Sequence, residues 1–270
     1  MARAGLRHWP AMRIRTAAVT HRGAVRPHNE DTIAVAGWLC SVDDGVPLEL
    51  VVDSSDGVLL AVADGLGGHP EGERASMLAL RTLTARRDPL STPDRLVEAV
   101  RDADRALYAE MDEVPAARRM GTTLAGFAVL GDAVWVVNVG DSRCYATSGG
   151  RLVQVSHDDS SSADGSPTHI VDQTLGGSVS PDDVDPHLVE LPVEPGARLL
   201  VCSDGLSDVL APDQLEAAVL SSAGLAEVAA TLLRWTLDAG APDNVSVVPA
   251  ELPADLSGAP GAGAVLGSAG

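Results

Sequence analysis

The sequence predicts an α+β fold in which antiparallel sheets carry helix pairs on their outer faces. Three observations indicate this class. Strand-like segments come in groups, each main group is followed by two consecutive helical segments, and the βαβα alternation of a parallel doubly wound sheet is missing. The chain has 270 residues, of which 45% are hydrophobic, so a sizeable core within one domain is expected.

The first part of the chain predicts four strands followed by a helix. The strands are expected at 14–20, 31–37, 48–53 and 58–64, and the helix at 71–86, where apolar residues share one face. The third and fourth strands are rich in β-branched residues and are separated only by SSDG, which favours a hairpin between them.

The clearest helix in the sequence follows Thr92. Thr92 is a good N-cap, Pro93 suits the first helical position, and Asp94 favours the positive end of the helix. Apolar residues then recur at helical spacing, at Leu96, Val100, Ala103, Leu107 and Met111. Two antiparallel helices are therefore predicted in succession.

The second part of the chain repeats this order of strands and helices. Strands at 122–130, 133–140, 143–147 and 151–156, with Gly-rich turns between them, predict an antiparallel meander. The segments that follow are a polar loop at 157–182, strands at 187–191 and 197–204, helices at 212–221 and 224–239, and a last strand at 244–252.

The two ends of the chain differ in composition from the rest. Residues 1–13 are expected to be an N-terminal extension, and 253–270 a disordered tail rich in Gly, Ala, Pro and Ser. One catalytic domain is predicted between them, over 14–252.

Charge and cysteine content exclude several classes of protein. The 38 acidic residues against 19 basic ones give a formal net charge of −19, which repels phosphate backbones and argues against a nucleic-acid partner. No stretch approaches the ~20 apolar residues of a membrane span, and the N-terminus has no apolar secretory segment. Three cysteines without a CxxC fit a reducing cytoplasm, and Cys144 and Cys202 are expected to be small core residues.

Aspartates end several of the apolar segments. Asp64 and Asp204 each stand before a glycine at the end of a predicted strand, Asp141 follows another strand, and Asp243 precedes the last one. The acidic pair Glu30 and Asp31 comes directly before TIAVA, at the start of the second predicted strand.

Any one Asp-Gly is more commonly a turn than a functional site. Several together favour a metal site, because carboxylates held close repel one another unless a cation lies between them. Oxygen ligands alone suit Mg²⁺ or Mn²⁺, and Gly65 and Gly205 let the backbone approach an ion. Arg26, four residues before Glu30, could bind a phosphate in its fork geometry, although a solvated surface arginine is the simpler interpretation of it alone.

Six motifs occur in an order that resembles one known family. They are TAAVTHRGAVRPHNEDTIAV, VADGLGGHPEGERAS, MGTTLAGFAV, VNVGDSRCY, LLVCSDGLSDVL and APDNVSVV, and they cover about residues 14–250. Together they resemble the bacterial form of the protein phosphatase 2C family, the metal-dependent serine/threonine phosphatases.

The resemblance implies a four-layer α-β-β-α sandwich with two Mg²⁺ or Mn²⁺ ions at one rim. It implies that Asp64 bridges both ions, that the carbonyl of Gly65 joins one of them, and that Asp204 and Asp243 hold the other. Glu30 and Asp31 would act largely through bound water, and Asp141 matches the aspartate that holds a third, weaker ion. Arg26 would bind the substrate phosphate, and Asn244 and Ser203 would support neighbouring ligands. A metal-bridging hydroxide would attack phosphorus in line.

The sequence departs from the family pattern at three places. Leu66 stands where eukaryotic members carry a histidine proposed as the general acid, and His69 lies nearby in the Gly-rich turn. SHDDS at 156–160 replaces Thr-x-Asp-His-Ser, so Asp159 takes the place of the histidine. The flap that follows is short, and Gln173 stands at the arginine of an Arg-x-Leu-Gly-like stretch.

The family resemblance predicts a cytoplasmic, monomeric phosphatase whose substrates are phosphoproteins made by a serine/threonine kinase. One alternative is an inactive relative that binds phosphoproteins, favoured by the altered SHDDS segment and the short flap. Another is a phosphatase of small phosphoesters, since fold does not fix substrate.

Overall fold

Two six-stranded antiparallel sheets form the centre of the protein, in a computed structural model that describes residues 12–66, 71–85, 90–131, 133–160, 171–178 and 184–254. The strands, in chain order, are β1 (Arg13–His21), β2 (Asp31–Val35), β3 (Trp38–Cys40), β4 (Leu48–Asp53), β5 (Val58–Asp64), β6 (Gly121–Thr122), β7 (Leu124–Leu130), β8 (Ala133–Val139), β9 (Arg143–Ser148), β10 (Arg151–Gln154), β11 (Leu175–Gly176), β12 (His187–Leu191), β13 (Arg198–Cys202) and β14 (Val245–Glu251). The helices are α1 (Gly72–Thr84), α2 (Pro93–Glu113), α3 (Asp204–Ser207), α4 (Pro212–Val219) and α5 (Leu225–Asp238), with a 3₁₀ turn at Pro115–Ala117.

The sheets interleave strands from distant parts of the chain. The first sheet has the order β10-β9-β13-β14-β1-β4, and the second has the order β12-β8-β7-β5-β2-β3. All neighbouring strands run antiparallel, and β6 and β11 form a separate short pair. This topology places β2 and β5 of one sheet and β13 and β14 of the other near the middle of the sandwich.

Three apolar layers separate four layers of secondary structure. Phe127, Ile33 and Val248 belong to the core between the two sheets. Leu80 and Leu107 belong to the layer between the second sheet and α1 and α2, while Leu215 and Leu232 belong to the layer under α4 and α5. The predicted α-β-β-α sandwich is therefore confirmed.

The helix predicted after Thr92 is present as α2. The Thr92 Oγ1 accepts a hydrogen bond from the Arg95 N–H at 3.3 Å, and Pro93 is the first helical residue. All five predicted apolar positions are buried. Arg74 near the start of α1 forms an ion pair with Glu110 near the end of α2, so the two helices are antiparallel as expected.

The hairpin predicted between 48–53 and 58–64 is wrong, although both strands have the predicted bounds. β4 pairs with β1 in the first sheet, whereas β5 pairs with β2 and β7 in the second. The burial of the two strands gives the reason. β5 is buried on both faces along most of its length, as a central strand requires, whereas β4 is a partly exposed edge strand.

The meander predicted over 122–156 is also wrong, because its four strands are split between the sheets. β7 and β8 form a hairpin in the second sheet, and β9 and β10 form another in the first. The chain crosses between the sheets at 140–142, where Gly140 has a φ of +100° that an L side chain rarely adopts. This crossing carries Asp141.

The boundaries of the fold differ slightly from the predicted domain limits. β1 begins at Arg13, within the predicted extension, and the Met12 N–H donates to Ser54 Oγ at 2.9 Å. Residues 1–11 and 255–270 lie outside the described residues, so the predicted extension and tail stay predictions. Four small elements were not predicted: β3, α3, the 3₁₀ turn, and β11, which lies within the predicted loop at 157–182. None of the helices in the described part of the chain has the length and apolar character needed to cross a bilayer.

Candidate active site

Aspartates from both sheets meet at one rim of the sandwich. Asp31 and Asp64 are direct cross-strand partners, at the start of β2 and the end of β5. The other two aspartates come from the first sheet. Asp204 follows β13 and begins α3, and Asp243 precedes β14. Asp64 interacts with Asp31, Asp204 and Asp243, so these four predicted residues are brought together by the fold.

Asp31 is fully buried and is held by two hydroxyl groups of the opposite sheet. Its Oδ2 accepts hydrogen bonds from Ser203 Oγ at 2.9 Å and from Ser246 Oγ at 2.6 Å. Its Oδ1, and likewise Oδ1 of Asp204, is buried without a hydrogen-bond partner among the described residues. Each of these oxygens therefore lacks the donor that a buried acceptor normally requires.

The surroundings of these carboxylates disfavour their ionised forms. Burial is the main cause that raises the pKa of Asp31, to about 7, and that of Asp64 well above its ordinary range. The negative charges of neighbouring aspartates add to both effects. Burial also raises the pKa of Asp204, although its hydrogen bond with Asp64 opposes part of that shift.

Asp141 lies at the edge of the same group. Burial raises its pKa to about 7, and the charges of Asp204 and Asp208 contribute. The segment that carries Asp141 is tied to Asp64 through two hydroxyl groups. Ser142 Oγ and Thr123 Oγ1 are hydrogen-bonded at 2.8 Å, and Thr123 Oγ1 accepts from the Asp64 N–H at 3.1 Å.

Asn244 fixes the loop that bears Arg26 and Glu30. Its Oδ1 accepts from the Glu30 N–H at 2.8 Å, and its Nδ2 donates to the carbonyl oxygens of Arg22 and His28. Asn244 directly follows Asp243 in the chain. Its hydrogen bonds thus connect the β1–β2 loop to the segment that precedes β14.

Arg26 forms an ion pair with Asp243, at 2.6 Å between Nη2 and Oδ2. Although burial lowers the pKa of Arg26, the charges of Asp243, Glu30 and Asp64 together raise it. Both side chains are about one-third exposed, so part of the guanidinium remains open to solvent. Burial raises the pKa of Glu30, and the nearby Arg26 charge opposes that shift.

Glycines are required where the backbone crosses this rim. A Cβ at Gly65 would lie 2.4 Å from the Gly72 carbonyl oxygen, and one at Gly205 would lie 2.0 Å from the Asn244 carbonyl oxygen. Both distances are well below van der Waals contact. Any larger residue at these two positions would displace the loops that hold the aspartates.

The position after Gly65 offers no titratable group. Leu66 packs against the backbone at Gly121 and Gly177 and donates its N–H to the Gly121 carbonyl at 2.9 Å. His69 lies outside the described residues.

The structure also gives partners to the altered SHDDS segment. Asp159 Oδ2 accepts from the Gly140 N–H at 2.9 Å and from Gln173 Nε2 at 3.0 Å, and Oδ1 lies 2.7 Å from His187 Nε2. Sequence analysis singled out Asp159 and Gln173 only as departures from the family pattern. The sequence carried no signal for His187, because it lies in an ordinary strand pattern 28 residues away. Ser246 and Thr123 were likewise not predicted.

The donor chemistry at the rim fits a hard divalent cation. The buried side-chain ligands available there are carboxylate oxygens, two of which have no hydrogen-bond donor among the described residues. Burial, together with the charges of neighbouring aspartates, raises the pKa values of Asp31 and Asp64. A bound Mg²⁺ or Mn²⁺ would reverse that effect, since a cation favours ionised carboxylates.

Comparisons with known proteins agree with this architecture. Residues 41–244 match the sequence profile of the family described as Protein phosphatase 2C. The serine/threonine protein phosphatase PstP of Mycobacterium tuberculosis is 32% identical over 252 residues, which cover 88% of this chain and 45% of the relative. The chain thus spans about half the length of that relative.

Two solved structures are similar in fold. The crystal structure of Mycobacterium tuberculosis PstP/Ppp superposes with a TM-score of 0.74 at 32% identity, and covers 89% of this chain and 99% of that one. A PstP catalytic domain in complex with two manganese ions gives a TM-score of 0.72 at 32% identity, with 90% and 99% covered. With three quarters of its residues matched by the family profile and a relative at 32% identity, this chain belongs to the protein phosphatase 2C family.

Proposed function

We propose that this chain is a metal-dependent phosphatase that hydrolyses phosphoserine and phosphothreonine in proteins. The single observation that carries the proposal is the cluster of buried carboxylates from both sheets. Two of their oxygens have no hydrogen-bond donor among the described residues and burial disfavours their ionised forms, and bound cations would compensate both. The similarity to serine/threonine phosphatases supports the substrate class.

The proposed ligands are divided between two ions. Asp64, which lies among the other carboxylates, would help to hold both ions, and the Gly65 carbonyl would help to hold one of them. Asp204 and Asp243 are assigned to the other ion, Glu30 and Asp31 to contacts through water, and Asp141 to a third ion. When bound, the ions supply Lewis acidity toward the phosphate and lower the pKa of water.

The protein's own groups have separate tasks. Arg26 binds the phosphate oxygens with the part of its guanidinium that the Asp243 ion pair leaves open. Ser203 and Ser246 hold Asp31, and Asn244 positions Glu30 through its backbone. Leu66 has no proton to give, so it contributes only packing at the mouth of the site.

The experiment that tests this function is a substrate panel assayed with and without added Mn²⁺ or Mg²⁺. We expect metal-dependent hydrolysis of phosphoserine and phosphothreonine peptides, and its loss in excess chelator. Faster turnover of nucleotides or sugar phosphates would instead assign the chain to small phosphoesters. Phosphopeptide binding without hydrolysis at any metal concentration would assign it to a binding module.

We also propose a cytoplasmic, monomeric signalling enzyme that opposes a serine/threonine kinase. The state of the cysteines supports the compartment, since Cys40, Cys144 and Cys202 are free thiols. Cys144 and Cys202 are fully buried, as predicted, and burial raises the pKa of Cys202 to about 12. Gel filtration with light scattering tests the oligomeric state, and fractionation of cells tests the location.

A further inference from the structure

Two histidines and one aspartate form a second group of potential metal ligands, separate from the acidic rim. One ligand atom from each of His157, Asp159 and His187 lies within 4.8 Å of the other two. The two imidazole rings are stacked at a tilt, with centroids 4.7 Å apart. None of the three residues is among the ligands proposed for the acidic rim.

Asp159 is held in a fixed orientation. Its side chain is only 11% exposed, and Oδ2 accepts two hydrogen bonds, from the Gly140 N–H and from Gln173 Nε2. Its backbone is fixed too, since its N–H donates to the Gly140 carbonyl and its own carbonyl accepts from Asp172. Oδ1 is left to face His187, at 2.7 Å from Nε2.

The support for this carboxylate extends a further step. Gln173 Oε1 accepts from the Asp185 N–H at 2.8 Å, and its Nε2 donates to the Asp185 carbonyl as well as to Asp159. Metal ligands commonly have such outer partners, which orient them and strengthen binding. The neighbouring Asp158 is not available in this way, because its carboxylate binds Arg143 and Gln154.

The histidines approach Asp159 from two different elements. His187 begins β12 and pairs with Asn138 of β8, so its backbone belongs to the second sheet. His157 follows β10, beyond Val155 and Ser156, whose N–H groups donate to the Cys144 carbonyl. His157 is exposed and His187 half-buried, so an ion can reach both rings from solvent.

Two imidazole nitrogens and one carboxylate oxygen suit a borderline transition-metal ion better than Mg²⁺, which prefers oxygen ligands alone. Zn²⁺ binds histidine nitrogen and carboxylate oxygen at about 2.0–2.2 Å, with an open fourth position in many three-ligand sites. Tetrahedral ligands at that range lie roughly 3.3 Å apart. The Asp159–His187 contact would therefore lengthen by less than about 1 Å.

We propose that His157, Asp159 and His187 form a Zn²⁺ site with one position open to water. Two of the three departures from the family pattern contribute to it. Asp159 replaces a histidine with a carboxylate, and Gln173, at the position of the arginine, donates to that carboxylate. The site lies next to the Gly140–Asp141 crossing, so it borders the acidic rim without sharing a ligand with it.

Calorimetric titration of Zn²⁺ into protein held in excess Mg²⁺ tests the site, because Mg²⁺ competes for the carboxylate cluster. We expect one Zn²⁺ per chain with a Kd of roughly micromolar or tighter. His187→Ala and His157→Ala should each weaken this binding by at least about 100-fold, which exceeds the typical effect of removing an outer partner. His28→Ala, which removes an exposed histidine elsewhere, should leave it unchanged.

Co²⁺ offers a second readout that does not depend on enzyme activity. Co²⁺ bound to nitrogen ligands should give a visible absorption band in the wild-type chain and in His28→Ala, and lose it in His157→Ala. His157 is exposed, so that variant is expected to fold, which circular dichroism checks.

The proposal is overturned if the wild-type protein binds no Zn²⁺ in the presence of excess Mg²⁺. Equal Zn²⁺ affinity in wild type and His157→Ala would also overturn it. His157 would then not be a ligand, and the contact between Asp159 and His187 would be an ion pair only. Neither outcome bears on the phosphatase proposal, which rests on other residues.

Discussion

The strands β13 and β14 carry charged residues at both of their ends, and the two ends are organised in opposite ways. At one end, Arg198 of β13 pairs across the sheet with Glu251 of β14. At the other end, β13 leads to Asp204, and β14 is preceded by Asp243, within the acidic rim.

The Arg198 end has partners for every charge. Arg198 donates to Glu251 at 3.1 Å and to the carbonyl oxygens of Val219 at the end of α4 and of Ser221 and Ala223 after it. Arg15 adds a second ion pair to Glu251. Although burial raises the pKa of Glu251, the two arginines outweigh it and lower that pKa.

Among the described residues, the acidic end has one arginine for several carboxylates. Arg26 is paired with Asp243, while Asp31, Asp64 and Asp204 lie deeper and have raised pKa values. The comparison teaches a general distinction. A buried charge that is neutralised by opposite charges of the same chain stabilises the fold. Carboxylates grouped without enough positive charge beside them indicate that a cation binds there.

The largest effect is expected from removing a charge at the acidic end. Asp64→Asn and Asp204→Asn should each lower kcat/KM for a phosphopeptide by at least about 1,000-fold, or about 4 kcal/mol of transition-state stabilisation. The metal-free variants should be at least as stable as the wild type, because an amide avoids the cost of burying a carboxyl group that is either ionised or must take up a proton.

Steady-state kinetics with Mn²⁺ and thermal melting in chelator measure the two properties. Asp56→Asn, at an exposed turn, is the matched control and should change neither. Retained activity in Asp64→Asn or Asp204→Asn would contradict the assignment of these residues.

Removing the ion pairs of Arg198, at the opposite end of β13, should reduce the stability of the fold without changing catalysis. Arg198→Met leaves three carbonyl oxygens without this donor and leaves Glu251 with Arg15 alone, so we expect a loss of about 3 kcal/mol in the free energy of unfolding. For a domain of this size that corresponds to a fall of about 6–12 °C in Tm. Metal affinity and kcat/KM, measured well below Tm, should be unchanged; a fall in metal affinity would show that the two ends are coupled.

The metal-free protein should lose stability as pH rises. Asp31 and Asp141 have pKa values of about 7 in the folded protein against an ordinary value of 3.8, so the folded state keeps protons that the unfolded chain releases. Their contribution is complete below about pH 4 and is lost as pH rises toward and through 7.

Melting in chelator at pH 5 and pH 8 measures this effect, with an expected Tm several degrees lower at pH 8. Added Mg²⁺ should raise Tm more at pH 8 than at pH 5, since it binds the ionised carboxylates. A Tm in chelator that is equal or higher at pH 8 would argue against the uncompensated cluster.

The smallest effect is expected for Arg15, which shares Glu251 with Arg198 but is far more exposed. The Arg15 side chain is 63% exposed against 19% for Arg198. Arg15→Ala should therefore cost less than about 1 kcal/mol, and the loss should shrink in high salt. Urea denaturation at two salt concentrations measures it. If Arg15→Ala lost as much free energy of unfolding as Arg198→Met, burial would not determine how much these ion pairs contribute to stability.

Local signals in the sequence gave most of the secondary structure. Thr92 and Pro93 locate the start of α2, because N-capping and proline chemistry act within one turn of the chain. β4 and β5 have their predicted bounds because β-branched content and turn residues act over a few positions. The aspartates of the rim were found by the same kind of signal, a carboxylate at the end of an apolar segment.

Strand partners were beyond the reach of such signals. The SSDG gap looked like a hairpin turn, yet β4 and β5 lie in different sheets, because β5 needs burial on both faces and β4 does not. A short connection allows two consecutive strands to pair but does not require them to. The same holds for 140–142, where the chain leaves one sheet for the other.

The fold class, the family and the set of acidic residues follow from residue types and their order along the chain. Which side chains share an environment depends on the folded structure. It brought Asp31, 0% exposed, between Ser203 and Ser246 of the opposite sheet. It also placed His187 against Asp159, 28 residues earlier in the chain. The physical reason is that burial and electrostatic coupling depend on distance in space, and the antiparallel sheets make that distance independent of separation in sequence.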